Sequence, residues 1–120
     1  NLRGIFRTDG DGQFGFCTEK PASYPIPTDG PVGEMLRAVG RHAWRPAHIH
    51  FIVSAEEHES LTTHLFVAGD PYLNSDVVQA VKEGLIVDFK ESNDSTEANK
   101  FDLSTPYFKL HEEFVLAPTL

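Results

Sequence analysis

Residues 45–51, which read RPAHIHF, limit the fold and chemistry of this chain more than any other stretch and begin its strongest strand pattern. Alternate side chains of a strand lie on one face, so His48 and His50 are predicted to point the same way. Ile49 and Phe51 then occupy the opposite face, towards the core. Two neighbouring imidazoles are well placed to share a metal ion, although two solvated histidines would give the same pattern.

A tyrosine in a proline-rich loop is the second candidate ligand. Residues 21–31 contain four prolines, which fix φ and donate no N–H, so this segment is predicted to be an ordered loop. Tyr24 lies within it. A phenol with a pKa of about 10 loses its proton only to a strongly Lewis-acidic ion such as ferric iron. Tyr24 is therefore either a packing residue or a ligand of ferric iron.

Two further side chains are candidates for the same site. Arg45 lies three residues before His48 and carries a permanent charge on a planar guanidinium. It either stabilises negative charge on a bound molecule or forms an ordinary surface salt bridge. His64, in a predicted strand at 62–67, is either a hydrogen-bond donor in the same cavity or a structural histidine.

The composition excludes several classes of protein. A chain of 120 residues with 40% hydrophobic residues is long enough for one folded domain. Its net charge of −8 repels phosphate backbones and anionic lipids, so we expect no nucleic-acid or membrane partner. No apolar run approaches the ~18–20 residues of a membrane span. The single cysteine, Cys17, excludes an internal disulfide and is typical of a cytoplasmic protein.

Strand patterns outnumber helical patterns along the chain. Strands are predicted at 2–7, 13–18, 47–54, 62–67, 85–89 and 107–116. Short helices are predicted at 33–39 and 75–82, and a polar surface loop is predicted at 90–100. The pattern therefore predicts a mostly-β sandwich with short helices in the crossovers at its edge.

Several motifs, in one order, resemble the intradiol ring-cleavage dioxygenases. They are YPIPTDGP at 24–31, GRH at 40–42, RPAHIHF at 45–51, TTH at 62–64 and GDPYLNSD at 69–76. The agreement in order and spacing extends from Leu2 to Pro118. Within the family the chain is most similar to the hydroxyquinol 1,2-dioxygenases, on the basis of the Tyr-Pro-Ile-Pro stretch, His64 and the pair Val77 and Val78. Catechol and chlorocatechol 1,2-dioxygenases are near relatives.

The resemblance implies a non-haem Fe(III) cofactor and a role for each matching residue. Tyr24 would be a phenolate ligand that substrate releases, and His48 and His50 would be the imidazole ligands. Arg45 would stabilise charge on the activated ring and contact the substrate. The other residues implied to line the substrate pocket are Ile26, Pro27, His64 and Val78.

The reaction implied is the opening by O2 of an aromatic diol or triol between two adjacent hydroxyls. Hydroxyquinol, giving maleylacetate, is the preferred substrate, and catechol or chlorocatechols, giving cis,cis-muconates, are the alternatives. The resemblance also implies a homodimer for the whole enzyme.

The family's second tyrosinate has no counterpart before Tyr24. We therefore expect residues 1–120 to be the C-terminal part of the catalytic β-sandwich domain, without its N-terminal helical segment and first strands. Two alternatives from other classes are a non-catalytic β-sandwich binding module and a zinc hydrolase that uses His48, His50 and a carboxylate.

Overall fold

The computed structural model describes residues 2–120, which contain seven short strands and two short α-helices. The strands are β1 (Tyr24–Pro25), β2 (Trp44–Arg45), β3 (His48–Val53), β4 (Leu61–Val67), β5 (Ile86–Val87), β6 (Lys90–Ser92) and β7 (Tyr107–Lys109). The helices are α1 (Pro31–Ala38) and α2 (Ser95–Lys100), and a 3-10 turn (Glu83–Leu85) precedes β5. The predicted mostly-β class is confirmed. Within residues 2–120, neither helix has the length and apolar content that crossing a bilayer requires.

The central sheet has the strand order β3–β4–β5. β3 runs antiparallel to β4, and β4 runs parallel to β5. Phe66 in β4 is completely buried, and its neighbours Leu65 and Val67 are also buried. The core of the described residues is therefore centred on the last half of β4.

A two-residue ladder joins the proline-rich loop to the segment that precedes β3. β1 pairs antiparallel with β2, so that Tyr24 lies opposite Arg45 and Pro25 lies opposite Trp44. Proline is tolerated at such an edge because its missing N–H interrupts no inner ladder. The prediction that residues 21–31 form only a loop is therefore wrong at these two residues, and the ladder brings Tyr24 to the strand that carries Arg45.

Helix α1 supports this loop from one side. It begins with Pro31 in the first turn, where a missing N–H costs nothing, and it ends before Gly40, which has a φ of +65°. Gly33 is buried, and a Cβ at this position would collide with the carbonyl oxygen of Thr28. Only glycine therefore allows the loop to lie so close to the helix. The helix predicted at 33–39 is confirmed, with its start two residues earlier.

The predicted hairpin at the beginning of the chain forms its turn but not its strands. Asp9 N donates to Gln13 O at 2.8 Å, and the Asp9 carboxylate accepts from the N–H groups of Asp11 and Gln13. Residues 2–7 and 13–18 have no strand structure. An isolated pair of strands is marginal in water, and no third strand pairs with these segments within the described residues.

Three further segments differ from their predictions. The helix predicted at 75–82 does not form, because Gln79 has a φ of +57° and interrupts a helical path. The polar stretch at 90–100 contains β6 and α2 instead of a surface loop, and the strand predicted at 107–116 is limited to β7. β6 forms because it pairs with the distant β7, and local patterns do not contain such a contact.

We predict that Phe66→Ala lowers the free energy of unfolding by about 3–5 kcal/mol, because it leaves a cavity at the centre of the core. Denaturant unfolding of the purified protein measures this change. Phe101→Ala is the matched control, since Phe101 is 56% exposed and its truncation should cost about 1 kcal/mol or less. Equal losses in the two variants would contradict the prediction.

Candidate metal centre

Three imidazoles lie on one face of the central sheet. His48 and His50 alternate along β3, and His50 lies directly opposite His64 of β4. The ring centroid of His64 is 4.7 Å from that of His50 and 5.1 Å from that of His48. The structure therefore brings together the two predicted imidazole ligands and the predicted pocket histidine.

Phe66 lies on the same face of the sheet as the imidazoles and packs beside two of these rings. It lies opposite His48 in the ladder, and its ring centroid is 5.5 Å from His48 and 5.7 Å from His64. His48 and His64 are half-buried, whereas His50 is exposed. The cluster is thus bounded on one side by an apolar ring and open to solvent beside His50.

Tyr24 reaches this cluster through the ladder between β1 and β2. Its ring centroid is 5.7 Å from that of His48, and the side chain is 45% exposed. The phenol and the imidazoles therefore converge on one region, although Tyr24 and His48 lie 24 positions apart in the sequence.

One hydrogen bond fixes the tautomer of His48. Its Nδ1 lies 2.7 Å from the carbonyl oxygen of Pro46, and a carbonyl oxygen can only accept. Nδ1 must therefore carry the proton, which leaves the lone pair on Nε2. Such a second contact orients an imidazole for metal binding through the other nitrogen.

The guanidinium of Arg45 lies beside this lone pair, and the residue as a whole is 7% exposed. Nη1 is 3.3 Å from Nε2 of His48, and Nε donates to Oδ1 of Asp76 at 3.3 Å. Nη2 is buried and has no hydrogen-bond partner in the structure. A buried donor without a partner is costly, so this nitrogen is suited to meet an oxygen of a bound molecule.

Asp76 is a site neighbour whose contact with Arg45 the sequence did not reveal. Its side chain is nearly fully buried and accepts from the N–H groups of Val78 at 3.2 Å and Ala80 at 3.0 Å. Burial raises the pKa of Asp76, but the hydrogen bonds from Ala80, Arg45 and Val78 together bring it below its ordinary value. The carboxylate is therefore held in its charged form.

Burial also shifts the pKa values of two histidines. It lowers the pKa of His48; the hydrogen bond to Pro46 opposes this effect, and the charge of Arg45 adds to it. Burial and the neighbouring imidazoles His48 and His50 lower the pKa of His64. Both rings are therefore kept neutral near pH 7, and only a neutral imidazole has a lone pair for a metal ion.

The remaining predicted pocket residues lie on two segments beside the cluster. Ile26 follows β1, where its N–H donates to Ala43 O at 2.9 Å, and Pro27 is exposed after it. Val78 is 52% exposed and is held through its N–H by Asp76. Their role in lining a substrate pocket stays a prediction.

The donor set determines which metal these residues fit. Within residues 2–120, no three side chains of the histidine, cysteine, aspartate and glutamate types form a metal-binding group. A site here therefore requires the phenol of Tyr24 in addition to the imidazoles of His48 and His50. Phenolate with neutral imidazole suits a strongly Lewis-acidic transition-metal ion rather than Mg²⁺ or Ca²⁺. The residues present fit ferric iron.

We predict that His48 and His64 titrate below the ordinary histidine value of 6.5. NMR of the imidazole protons in metal-free protein measures both midpoints, with single His→Ala variants for assignment. The unfolded chain binds protons at these two histidines more readily than the folded protein does. The free energy of unfolding is therefore unaffected by them above about pH 6.5, and it falls as the pH drops from there towards their folded pKa values. Midpoints at or above 6.5 would contradict this assignment.

Comparisons with known proteins show which family the chain belongs to. A family profile described as "Dioxygenase" matches residues 1–110. The chain is 50% identical over 118 residues to a hydroxyquinol 1,2-dioxygenase of Rhizobium sp. (strain MTP-10005), which covers 98% of this chain and 40% of the relative. The chain therefore spans about 40% of the length of this relative.

Two solved structures have the same arrangement of elements. Hydroxyquinol 1,2-dioxygenase from Pseudomonas putida DLL-E4 superposes with a TM-score of 0.85 at 49% identity, covering 98% of this chain and 42% of that one. Catechol 1,2-dioxygenase from Acinetobacter sp. ADP1 gives 0.87 at 41% identity, covering 94% and 37%. The predicted fold class and the predicted resemblance to hydroxyquinol 1,2-dioxygenases are confirmed. The chain belongs to the intradiol ring-cleavage dioxygenase family.

Proposed function

We propose that the enzyme containing this chain uses O2 to open hydroxyquinol between two adjacent hydroxyls and produces maleylacetate. The observation that carries this proposal is the convergence of Tyr24, His48 and His50 beside the buried guanidinium of Arg45. The names of the similar proteins support the choice of substrate. Because the chain spans about 40% of the first relative, we propose that residues 1–120 form the C-terminal part of the catalytic domain.

The proposed cofactor is non-haem Fe(III), with Tyr24, His48 and His50 as ligands from this chain. When bound, ferric iron supplies Lewis acidity that draws electron density from a ring chelated through two oxygens. The phenol of Tyr24 is the ligand proposed to leave as substrate arrives, and its partly exposed position allows such a movement. The Pro46 carbonyl keeps His48 in the required tautomer throughout.

Arg45 is proposed to stabilise negative charge on the substrate. Its Nη2 is buried without a protein partner, so it can donate to a substrate oxygen in surroundings that strengthen the interaction. A metal bound at Nε2 of His48 would use the lone pair that now lies 3.3 Å from Nη1. Nη1 would then lose its acceptor and become available as a second donor to the substrate, while Nε would still donate to Asp76.

His64 is proposed to contact a substrate hydroxyl. Burial keeps its imidazole neutral, so the ring offers one donor and one acceptor nitrogen. Ile26, Pro27 and Val78 are proposed to supply apolar contacts around the ring. The third hydroxyl of hydroxyquinol is the group that distinguishes it from catechol, and a polar ring at position 64 suits that difference.

Cleavage of catechol or a chlorocatechol to a cis,cis-muconate is the second candidate function. The superposition on a catechol 1,2-dioxygenase, with a TM-score of 0.87, favours it. The whole enzyme is proposed to be a homodimer, and the cytoplasmic location stays a prediction.

We predict that His48→Ala and His50→Ala each abolish iron retention, because each removes a ligand that the other two cannot replace. Iron content after gel filtration measures this loss. The purified wild-type enzyme should also show a visible tyrosinate-to-iron absorption band, and this band should weaken and shift in Tyr24→Phe, because only the family's second tyrosinate would then remain on the iron. His111→Ala is the matched control, since His111 is exposed. Stoichiometric iron and full turnover in either histidine variant would remove that residue from the site.

We predict that the iron-loaded enzyme consumes one O2 per hydroxyquinol and turns over catechol at least about tenfold less efficiently, because catechol leaves one polar contact unmade. Oxygen uptake together with product absorbance measures kcat/KM for both substrates. Faster turnover of catechol would favour the second candidate, and turnover of neither would sink the proposed reaction.

A further inference from the structure

One buried carboxylate contacts the proposed site without a role in the reaction described above. Asp76 is 4% exposed, and its Oδ1 lies 3.3 Å from Nε of Arg45, which is itself 7% exposed. Two opposite charges removed from water depend strongly on each other, because neither can recover its hydration when its partner is lost. The contact therefore fixes the position of Arg45 more firmly than an exposed ion pair would.

The carboxylate itself is held by the backbone. Its Oδ1 also accepts from Val78 N at 3.2 Å, and its Oδ2 accepts from Ala80 N at 3.0 Å. These bonds use both oxygens and prevent the carboxylate from rotating. The negative charge that faces Arg45 is therefore fixed in place.

The segment around Asp76 is also attached to the strand that carries Arg45. Val77 N donates to Trp44 O in β2 at 3.2 Å, and Nη2 of Arg41 donates to the carbonyl oxygen of Asp76 at 3.1 Å. Carboxylate and guanidinium are thus parts of one connected unit rather than two side chains that meet at a surface.

The position of the ion pair decides which nitrogens of Arg45 stay free. Asp76 accepts the hydrogen bond from Nε, which is the guanidinium nitrogen nearest the backbone. Nη1 faces His48, and Nη2 is buried without a partner. Because the guanidinium is planar, fixing Nε against a carboxylate also fixes the directions of both terminal nitrogens.

We propose that Asp76 is a positioning residue that holds the guanidinium of Arg45 with its terminal nitrogens directed at the substrate. This inference rests on the proposed function, since it assigns Arg45 a substrate contact. Asp76 touches neither substrate nor metal in this assignment and acts only through Arg45. The same carboxylate accepts from the N–H of Val78, so it positions both this proposed pocket residue and the guanidinium.

The test uses Asp76→Asn in the iron-loaded enzyme. Asparagine keeps one carbonyl oxygen for a backbone N–H but has no charge to hold the guanidinium. We expect kcat for hydroxyquinol to fall about 10- to 100-fold, with a smaller change in KM. Iron content and the visible absorption band should stay those of the wild type. A kcat within twofold of the wild type would overturn the inference.

A double-mutant cycle separates positioning from a purely structural role. If Asp76 acts through Arg45, then Asp76→Asn should not lower kcat further once Arg45→Ala is present. An equal fold-loss in both backgrounds would show that Asp76 acts independently of Arg45 and would overturn the inference. Asp94→Asn is the matched control, because Asp94 accepts from two backbone N–H groups in the same way but contacts no arginine side chain. Its kcat should equal that of the wild type.

A second variant covers the case in which Asp76→Asn does not fold. Asp76→Glu keeps the charge but displaces it by one methylene, so it should fold and still lose kcat at least about tenfold. Failure of both variants to fold would assign Asp76 to the fold and overturn the inference. If the wild-type enzyme does not cleave the ring, both the proposed function and this inference are refuted. If the wild type is active but the effects of the Asp76 and Arg45 substitutions are additive, only this inference is refuted.

Discussion

The register between β3 and β4 determines which side chains share the face of the candidate metal centre. His50 lies opposite His64, and His48 lies opposite Phe66. A slip of one residue would move both imidazoles of β3 to the other face, because side chains alternate along a strand. Phe66 opposes such a slip, since it is completely buried on the same face beside two imidazoles and would lose this packing. The burial of Phe66 and the grouping of the imidazoles therefore depend on the same register.

The burial of Arg45 has a free-energy cost that substrate binding can partly recover. Burying a guanidinium next to a carboxylate roughly balances desolvation against attraction, and removal of one partner costs about 3–5 kcal/mol. The pair with Asp76 satisfies Nε, but Nη2 has no partner. An unsatisfied buried donor costs about 1–3 kcal/mol. A substrate oxygen that accepts from Nη2 would recover part of this cost, so the unpaired donor of the free protein would favour substrate binding.

Sequence reasoning found the imidazole face because it follows from a two-residue period in a single strand. It could not find the contact between Tyr24 and Arg45, since a two-residue ladder that includes Pro25 has no propensity signal. Asp76 lies at the start of the helix predicted at 75–82, and it does accept backbone N–H groups as a helix cap would. The positive φ of Gln79 prevents the backbone after Asp76 from continuing as a helix. The pairing of Asp76 with Arg45 spans 31 residues, and no local pattern encodes such a distance.

The described residues bury few side chains, and this changes how the site is held rigid. Their radius of gyration is 17.3 Å, above the about 14 Å expected of a compact domain with this many residues. A large core cannot fix the site within these residues, so short polar contacts must do so. Pro46 O orients His48, Asp76 orients Arg45, and Asp70 Oδ2 accepts from Ala47 N at 2.9 Å. Each contact fixes one group of the site, and Asp76 also holds the backbone N–H groups of Val78 and Ala80. Substitutions at these positions should therefore change catalysis as well as stability, because they displace groups of the site, whereas substitution of Phe66 should act mainly through stability.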